Sequence, residues 1–406
     1  MIEHLNEKIK AYALKNAISY KGKANPGSVV SSLFNEGLEK SGVKDVMPII
    51  QSTIKEISEL SIEEMQAEFE KLEEFTSKRV EREGLPEIPN AENGIRTRFA
   101  PSPSGAMHVG HALTASTAYA YVKKYGGTLI LRVEDTNADN IYPQAYELLE
   151  QDGKWLFENN CEFVVQSDRM DLDYKYARRL IDDGNAYICE CDGDSFRELA
   201  KEKKECPCRN KTIEENQKGW EKMLDSNGYQ PGEAILRFKT PEKHQGMQNP
   251  NPAMRDFPLA RVNLTTHPRQ GDKYRVWPLM NLSVTTDDIE MGLTHIIRAK
   301  EHMDNAKRQK MMFEVLGKTY PWDAYLGRWH IEGLRLSASG ITKGIAEGKY
   351  SGWDDLQLPT LQALAKKDYK PQAFHKMAEA RGLSEVDKKI TKEEFFQLLD
   401  EFNKAC

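Results

Sequence analysis

Two histidines three positions apart, His108 and His111, stand where a loop stiffened by Pro101 and Pro103 runs into a helical pattern. Residues three apart share one helix face. The first turn of a helix carries unpaired N–H groups that favour anions. Two imidazoles there can donate hydrogen bonds to phosphate oxygens, and Gly105 permits close backbone approach. Glu134 and Asp135 are neighbours at the end of a strand pattern, so they point to opposite sides. One can face a site while the other anchors the loop. Arg298 closes another strand pattern, and its planar fork suits a carboxylate. Four cysteines, Cys189, Cys191, Cys206 and Cys208, fall within 20 positions as two close pairs. Four thiolates suit tetrahedral zinc, and with no ligand position left open the site reads as structural.

These residues need elements to hold them. Ile95–Ala100 alternates as a strand, 107–124 reads as a helix, Thr128–Val133 as a strand and 143–158 as a helix. That order makes a βαβ unit and a parallel sheet, at whose strand ends ligands bind. A strand at Leu293–Arg298 and a helix at Glu301–Leu316 resume the pattern. Residues 1–80 read as helices; Ser61 and Glu64 have capping-box spacing, and Gly22, Asn25, Pro26 and Gly27 break the first helix from the next. The polar stretch 81–94 reads as a linker. Residues 186–258 are polar and irregular and read as an insertion carrying the cysteines. The domains expected are therefore 1–80, 95–185, the insertion 186–258, a second catalytic half 259–350, and a helical segment 351–406.

A chain of 406 residues with 39% hydrophobic content can bury two or three cores. It has no apolar run long enough for a membrane span, and MIEHLNEKIK is not a secretory leader. The expectation is a soluble, cytoplasmic monomer. A net charge of −6 gives no global sign of a nucleic-acid binder, so any RNA surface must be local. Paired cysteines in such a chain point to metal before disulfide.

The run 98–111, RFAPSPSGAMHVGH, resembles the adenylate-binding signature of class I aminoacyl-tRNA synthetases in its glutamyl/glutaminyl version, which begins R-x-A-P-S-P-[ST]-G and ends H-x-G-H. The resemblance implies that His108 and His111 contact ATP phosphates. It places Gly105 in the ATP loop and Gly110 against the adenine, and sets Arg98, Ala100 and Ser102 around the amino acid. Residues 131–137, LRVEDTN, resemble the partner block, in which Glu134 binds the substrate ammonium. The tract 287–302, D-D-x-x-x-G-x-T-H-x-x-R-x-x-E-H, implies that Arg298 holds the side-chain carboxylate; Met280 stands where the family often has Tyr. Residues 336–344, LSASGITKG, resemble the mobile ATP loop L-S-T-S-K. Ser337 and Ser339 match, Gly340 replaces the lysine, and Lys343 is the candidate cation.

The likeness spans about 95–392, and GKANPGSVVSSLF, SGWDDLQLPTL and GLSEVDKKIT are similar to the archaeal form of the glutamyl enzymes. It implies an α/β fold: a Rossmann-like parallel-sheet catalytic domain with a polar zinc-bearing insertion, an all-helical N-terminal domain and a helical C-terminal segment. The β-barrel that reads the anticodon in such enzymes is expected to be lacking. The implied reaction joins L-glutamate to the 3′ end of tRNA(Glu) with ATP and Mg2+, through a glutamyl-adenylate, usually only with tRNA bound; the archaeal form can also charge tRNA(Gln). Zinc is implied as a structural ion. The rival readings are a glutaminyl-tRNA synthetase, separable by the amino acid that supports pyrophosphate exchange, an inactive tRNA-binding fragment, and a small-molecule nucleotidyltransferase. The insertion and helical N-terminal region argue against the last.

Overall fold

The computed structural model describes residues 2–20, 22–76, 84–334 and 336–406, without the side chain of Lys40. The chain divides into two compact units between Glu81 and Arg82.

The first unit is helical: α1 (Leu5–Ser19), α2 (Pro26–Asn35), α3 (Val43–Ile57) and α4 (Ile62–Leu72). Its boundaries follow local chemistry. Asn25 caps α2 by accepting the Gly27 N–H at 2.8 Å, with Pro26 as first residue. Ser61 and Glu64 form the reciprocal capping box of α4. Ile9, Leu14, Leu33, Ile50 and Met65 make the core of this unit.

The second unit opens on β1 (Ile95–Phe99), α5 (Val109–Tyr125), β2 (Gly127–Val133), α6 (Ala145–Leu156), β3 (Glu162–Val165) and α7 (Met170–Asp182). The strands pair in parallel in the order β1-β2-β3. The part of the expected linker from residue 84 onward is a strap on this unit: Ile88 and Ala91 are buried, and the carbonyls of Pro86 and Pro89 bond Tyr121 and His295. Residues 81–83 lie outside the described residues.

The insertion expected to be irregular over 186–258 contains an antiparallel sheet. Its strands are β4 (Ala186–Cys189), β5 (Ile235–Phe238), β6 (Pro258–Val262) and β7 (Val276–Pro278), with α8 (Gly193–Lys201) and α9 (Ile213–Leu224) between the first two. The sheet carries the insertion past residue 258 to Pro278. Strands of three to five residues that include Arg237 and Arg261 do not stand out from a polar sequence. Burial of Leu236, Phe238, Leu259 and Val276 in one cluster, rather than periodicity, makes them strands.

The chain returns through α10 (Met280–Glu290), β8 (His295–Ala299), α11 (Met303–Val315) and β9 (Trp322–Leu326); β8 and β9 are parallel. β8 lies beside β1, tied where Thr294 N–H donates to the Arg96 carbonyl at 2.9 Å, but no ladder joins the two strands among the described residues. The connections from β1 lead first through β2 and β3, then return to its other side. This is the switch point of an open α/β sheet, where a crevice forms.

After β10 (Trp329–Glu332) and α12 (Ala338–Ala346) come α13 (Leu361–Lys366), α14 (Pro371–Arg381), β11 (Lys388–Thr391) and α15 (Lys392–Lys404). The segment from 351 was expected to be mostly helical; it also contains a strand, β11, which pairs in parallel with β10. Its sequence, Lys-Lys-Ile-Thr, has one apolar residue, and the pairing partner supplies what propensity lacks. Among the described residues no helix is long and apolar enough to cross a membrane.

Asp152 on α6 is 2% exposed, and its Oδ2 accepts the Met107 N–H at 2.6 Å, which ties the loop before α5 to the helix below it. Burial pushes its carboxyl up to about 7. A folded-state pKa above the unfolded one means stability present in acid is lost as pH rises from the ordinary carboxylate range through about 7. The Tm difference between Asp152→Asn and the unaltered chain should therefore grow in the variant's favour between about pH 4 and about pH 8. A pH-independent difference in thermal melts would contradict the assignment.

Candidate active site

A cavity of about 440 Å³ opens at the carboxyl ends of β1, β2 and β8. Arg98, Ala100 and Ser102 reach it from β1 and the following loop, Glu134 from the end of β2, and Arg298 from β8. His108, Gly110 and His111 line it from the start of α5. Met280, at the first position of α10, also lines it.

The two imidazoles stack, with centroids 3.9 Å apart and planes 13° apart. The Gly110 N–H donates to His108 Nδ1 at 3.1 Å, and the His108 N–H points at His111 Nδ1 at 3.4 Å. An Nδ1 that accepts leaves the proton on Nε2, so each ring presents Nε2–H as a donor. Burial and the neighbouring His111 hold His108 well below its ordinary pKa; burial pulls His111 down to about 4. The pair is two neutral donors at neutral pH, not two cations.

The other end of the cavity is charged. Arg132 on β2 is 0% exposed and sits among Asp288 at 2.8 Å, Glu134 at 3.1 Å and Asp287 at 3.8 Å. Burial opposes its charge, but these three acids outweigh burial and hold its pKa above the ordinary value. Asp288 also faces Arg98 at 3.4 Å, and Asp287 takes Arg169 at 2.6 Å. Burial raises the Glu134 carboxyl against the pull of Arg132 and Arg98, and lowers the pKa of Arg98. Asp288 is driven below its ordinary value because Arg98, Arg132 and Arg298 outweigh its burial. Asp173 behind them is pushed well up by burial and then by Asp287.

Arg298 differs from the others. Its Nη atoms donate to neutral partners, Gln309 Oε1 at 3.0 Å and Tyr320 Oη at 3.1 Å, and its Nε has no partner. Four guanidinium groups (Arg98, Arg132, Arg169 and Arg298) thus meet three carboxylates (Glu134, Asp287 and Asp288). Among the described residues Arg298 alone of the four has no carboxylate within ion-pair distance, and its Nε has no hydrogen-bond partner. A buried charge without its counterpart is strongly unfavourable, so this end of the cavity is built for an anion.

Glu134 and Asp135 divide as their adjacency predicts. Glu134 lines the cavity. Asp135 is buried and accepts from the Ser167 N–H and hydroxyl at 2.7 Å and from Tyr146 at 2.8 Å. Gly105 does not line the cavity; a Cβ there would lie 2.1 Å from the Trp353 ring, so its missing side chain admits an indole rather than a ligand. Ser337 and Ser339 are exposed outside the cavity, and Ser337 caps α12 by accepting the Gly340 N–H at 3.3 Å. Lys343 points to solvent beside Glu347 at 3.7 Å and does not reach the cavity; only Leu336 of that segment does. Sequence reading missed Arg132 and the two aspartates as a network. Arg132 and Glu134 are two apart on a strand, hence on one face, which is the signal that could have found the pair.

Away from the cavity, the sulfurs of Cys189, Cys191, Cys206 and Cys208 all lie within 4.8 Å of one another. Cys189–Cys206 and Cys191–Cys208 are each 3.9 Å apart. A tetrahedron with zinc–sulfur bonds of about 2.3 Å has edges of about 3.8 Å. The hydrogen bond between Cys189 and Cys206 pulls the Cys206 thiol down and pushes the Cys189 thiol up, and burial raises Cys191.

The family model for class I tRNA synthetases (E and Q), catalytic domain, matches residues 94–401. The chain is 43% identical over 395 residues to a glutamate–tRNA ligase of Methanocaldococcus jannaschii, covering 97% of this chain and 70% of the relative. It is 40% identical over 397 residues to that of Methanobrevibacter smithii, with the same coverage. It is 41% identical over 398 residues to that of Thermococcus onnurineus, covering 96% and 68%. A crystal structure of a glutamate tRNA ligase from Elizabethkingia meningosepticum in complex with its amino acid superposes with a TM-score of 0.53 at 20% identity, over 77% of this chain and 69% of that one, which speaks to the fold alone.

The tautomer assignment makes a prediction. In the protein without nucleotide, the His111 nitrogen resonances should remain those of a neutral Nε2–H ring from about pH 8 to about pH 5 and shift only near 4. A titration midpoint near 6.5 would show that the ring is neither desolvated nor fixed as described.

Proposed function

This chain belongs to the class I tRNA synthetases (E and Q), and from that premise we propose that it joins L-glutamate to the 3′ end of tRNA with ATP, through a glutamyl-adenylate. The observation that carries the reading is the juxtaposition, in one cavity, of two neutral imidazole donors and a buried guanidinium, Arg298, whose hydrogen-bond partners are neutral.

Each end suits one part of the reaction. Arg298, with its free Nε and only neutral partners, takes the side-chain carboxylate; a neutral amide would leave its charge unanswered. Glu134 faces the substrate ammonium as a charge-assisted pair. Arg98 and Ser102 orient the remaining carboxylate toward the start of α5. An oxygen of that α-carboxylate attacks the α-phosphorus of Mg-ATP in line, the bond to the β-phosphate breaks, and pyrophosphate leaves with the electron pair. His108 and His111 donate through Nε2–H to the phosphate oxygens as charge builds on them. Neutral donors do this without repelling Mg2+. The terminal ribose hydroxyl of tRNA then takes the acyl group. No protein nucleophile is needed, because positioning and preorganised dipoles carry both transfers.

The four cysteines fit zinc by donor chemistry and spacing. Bound there, zinc supplies a cross-link between the end of β4 and the turn at Pro207 in the insertion. The fit test is metal analysis followed by chelation. The reading predicts about one zinc per chain and a fall in Tm on stripping, reproduced by Cys206→Ser. A metal-free chain that melts unchanged would exclude it.

The functional test is ATP–pyrophosphate exchange with glutamate or glutamine, each with and without tRNA(Glu) or tRNA(Gln). Exchange should require glutamate and be raised by tRNA, with glutamine slower by at least about a hundredfold. Exchange driven equally by glutamine would favour the glutaminyl reading.

A further inference from the structure

ATP brings a polyphosphate with several negative charges, and the groups expected to meet it do not supply the matching positive charge. His108 and His111 are neutral. Position 340 is glycine, and Lys343 turns to solvent. At the other end Arg98, Arg132 and Arg169 are paired with Asp288, Glu134 and Asp287, and Arg298 is assigned to the substrate side chain. Among the described residues, two further arginines line the cavity with no carboxylate paired to the guanidinium: Arg328, after β9, and Arg381, the last residue of α14.

Arg381 is the unexpected one, since it comes from the C-terminal segment and from none of the motifs. Its Nη2 donates to the carbonyl of Gly327, and its guanidinium lies 5.7 Å from the centroid of the Trp329 ring. Both contacts orient the group, and neither neutralises it. It is half-buried, and burial lowers its pKa only to about 10, so the charge persists at neutral pH. α14 itself is fixed against α5: His375 packs on Tyr119 with centroids 4.9 Å apart and bonds the Leu156 carbonyl at 2.7 Å. The helix that carries the imidazoles and the helix that carries Arg381 therefore pack as one body.

Resting on the function proposed above, we propose that Arg381 is a catalytic residue for adenylate formation, its guanidinium bonding the β- and γ-phosphates of ATP at the α5 end of the cavity. Its role is charge stabilisation of the leaving pyrophosphate; no proton moves to or from it. A guanidinium serves here because it binds phosphate oxygens through a fork and stays charged when partly desolvated.

The test uses the full chain with tRNA bound and compares Arg381→Gln with Arg381→Lys in the exchange reaction. Both replacements can still donate to the Gly327 carbonyl, so a purely structural role predicts that they behave alike. The proposal predicts that Arg381→Gln raises KM for ATP and for pyrophosphate at least about tenfold and lowers kcat. Arg381→Lys should stay within about threefold of the unaltered enzyme, and KM for glutamate and for tRNA should barely move in either. A second measurement needs no variant: mapped modification of the unaltered chain by an arginine-selective dicarbonyl, in which pyrophosphate should protect Arg381 and glutamate should not. Equal behaviour of the two variants, a rise confined to KM for tRNA, or modification unaffected by pyrophosphate would overturn the assignment. Absence of any glutamate-dependent exchange in the unaltered chain would remove the functional reading, and this one with it.

Discussion

Arg132 has no exposed surface, and a guanidinium in that position must be answered by acids from somewhere. The acids come from its own strand and from α10: Glu134 two residues on, and Asp287 and Asp288 across the fold. Asp287 in turn holds Arg169 and Gln166, which immediately precede α7, while Asp288 holds Arg98 on β1. One buried charge thus fixes β1, β2, α10 and the entry to α7 relative to one another. The strand ends that line the cavity are among the elements it fixes. The remaining cation, Arg298, enters this frame without a carboxylate of its own. The acid preference assigned to the site follows from that unpaired guanidinium, held in place by the network around Arg132.

The two ends of the cavity work by different physics. At one end, charges are buried and matched, so the substrate completes an ion cluster in a medium that screens little. At the other, two imidazoles have had their charge removed by burial and present N–H dipoles in a fixed direction. That direction is set by backbone N–H groups in the first turn of α5, so the helix start determines both where the rings sit and which nitrogen carries the proton. The loop leading to it is held from below by Asp152 and from the side by Trp353, which fills the space that Gly105 leaves open. The C-terminal segment belongs to the same machinery, since it supplies Trp353 and Arg381.

Much of this was legible in the residue order. The βαβ start, the break between α1 and α2 and the capping box at Ser61 are local patterns read through strand and helix geometry, whereas the meeting of Arg98, Ala100, Ser102, His108, Gly110, His111, Glu134 and Arg298 on one cavity was implied mainly by the resemblance of their motifs to a known family. The cysteine cluster was legible because thiol pairs at that spacing have few other uses. The missed features are long-range. The antiparallel sheet of the insertion rests on strands too short and too polar to show a period, and β11 exists only because β10 pairs with it. Lys343 was favoured by its nearness in sequence to position 340, but the helical turn that Ser337 caps directs it outward. Arg381 ends α14 directly before the tract GLSEVDKKIT, far along the chain from the motifs that carry chemistry, so no spacing rule points to it.

The central claim is that Arg298 is the unpaired guanidinium that makes the pocket prefer an acid. The most direct measurement is the ratio of kcat/KM for glutamate over glutamine in tRNA-bound exchange, for the unaltered chain and for Arg298→Gln. Removing the guanidinium should collapse the ratio by at least about a hundredfold, mainly through loss of glutamate activity, because the substrate carboxylate then loses its cation. A ratio preserved in Arg298→Gln, with both amino acids slowed equally, would show that selection for the acid resides elsewhere and would contradict the account.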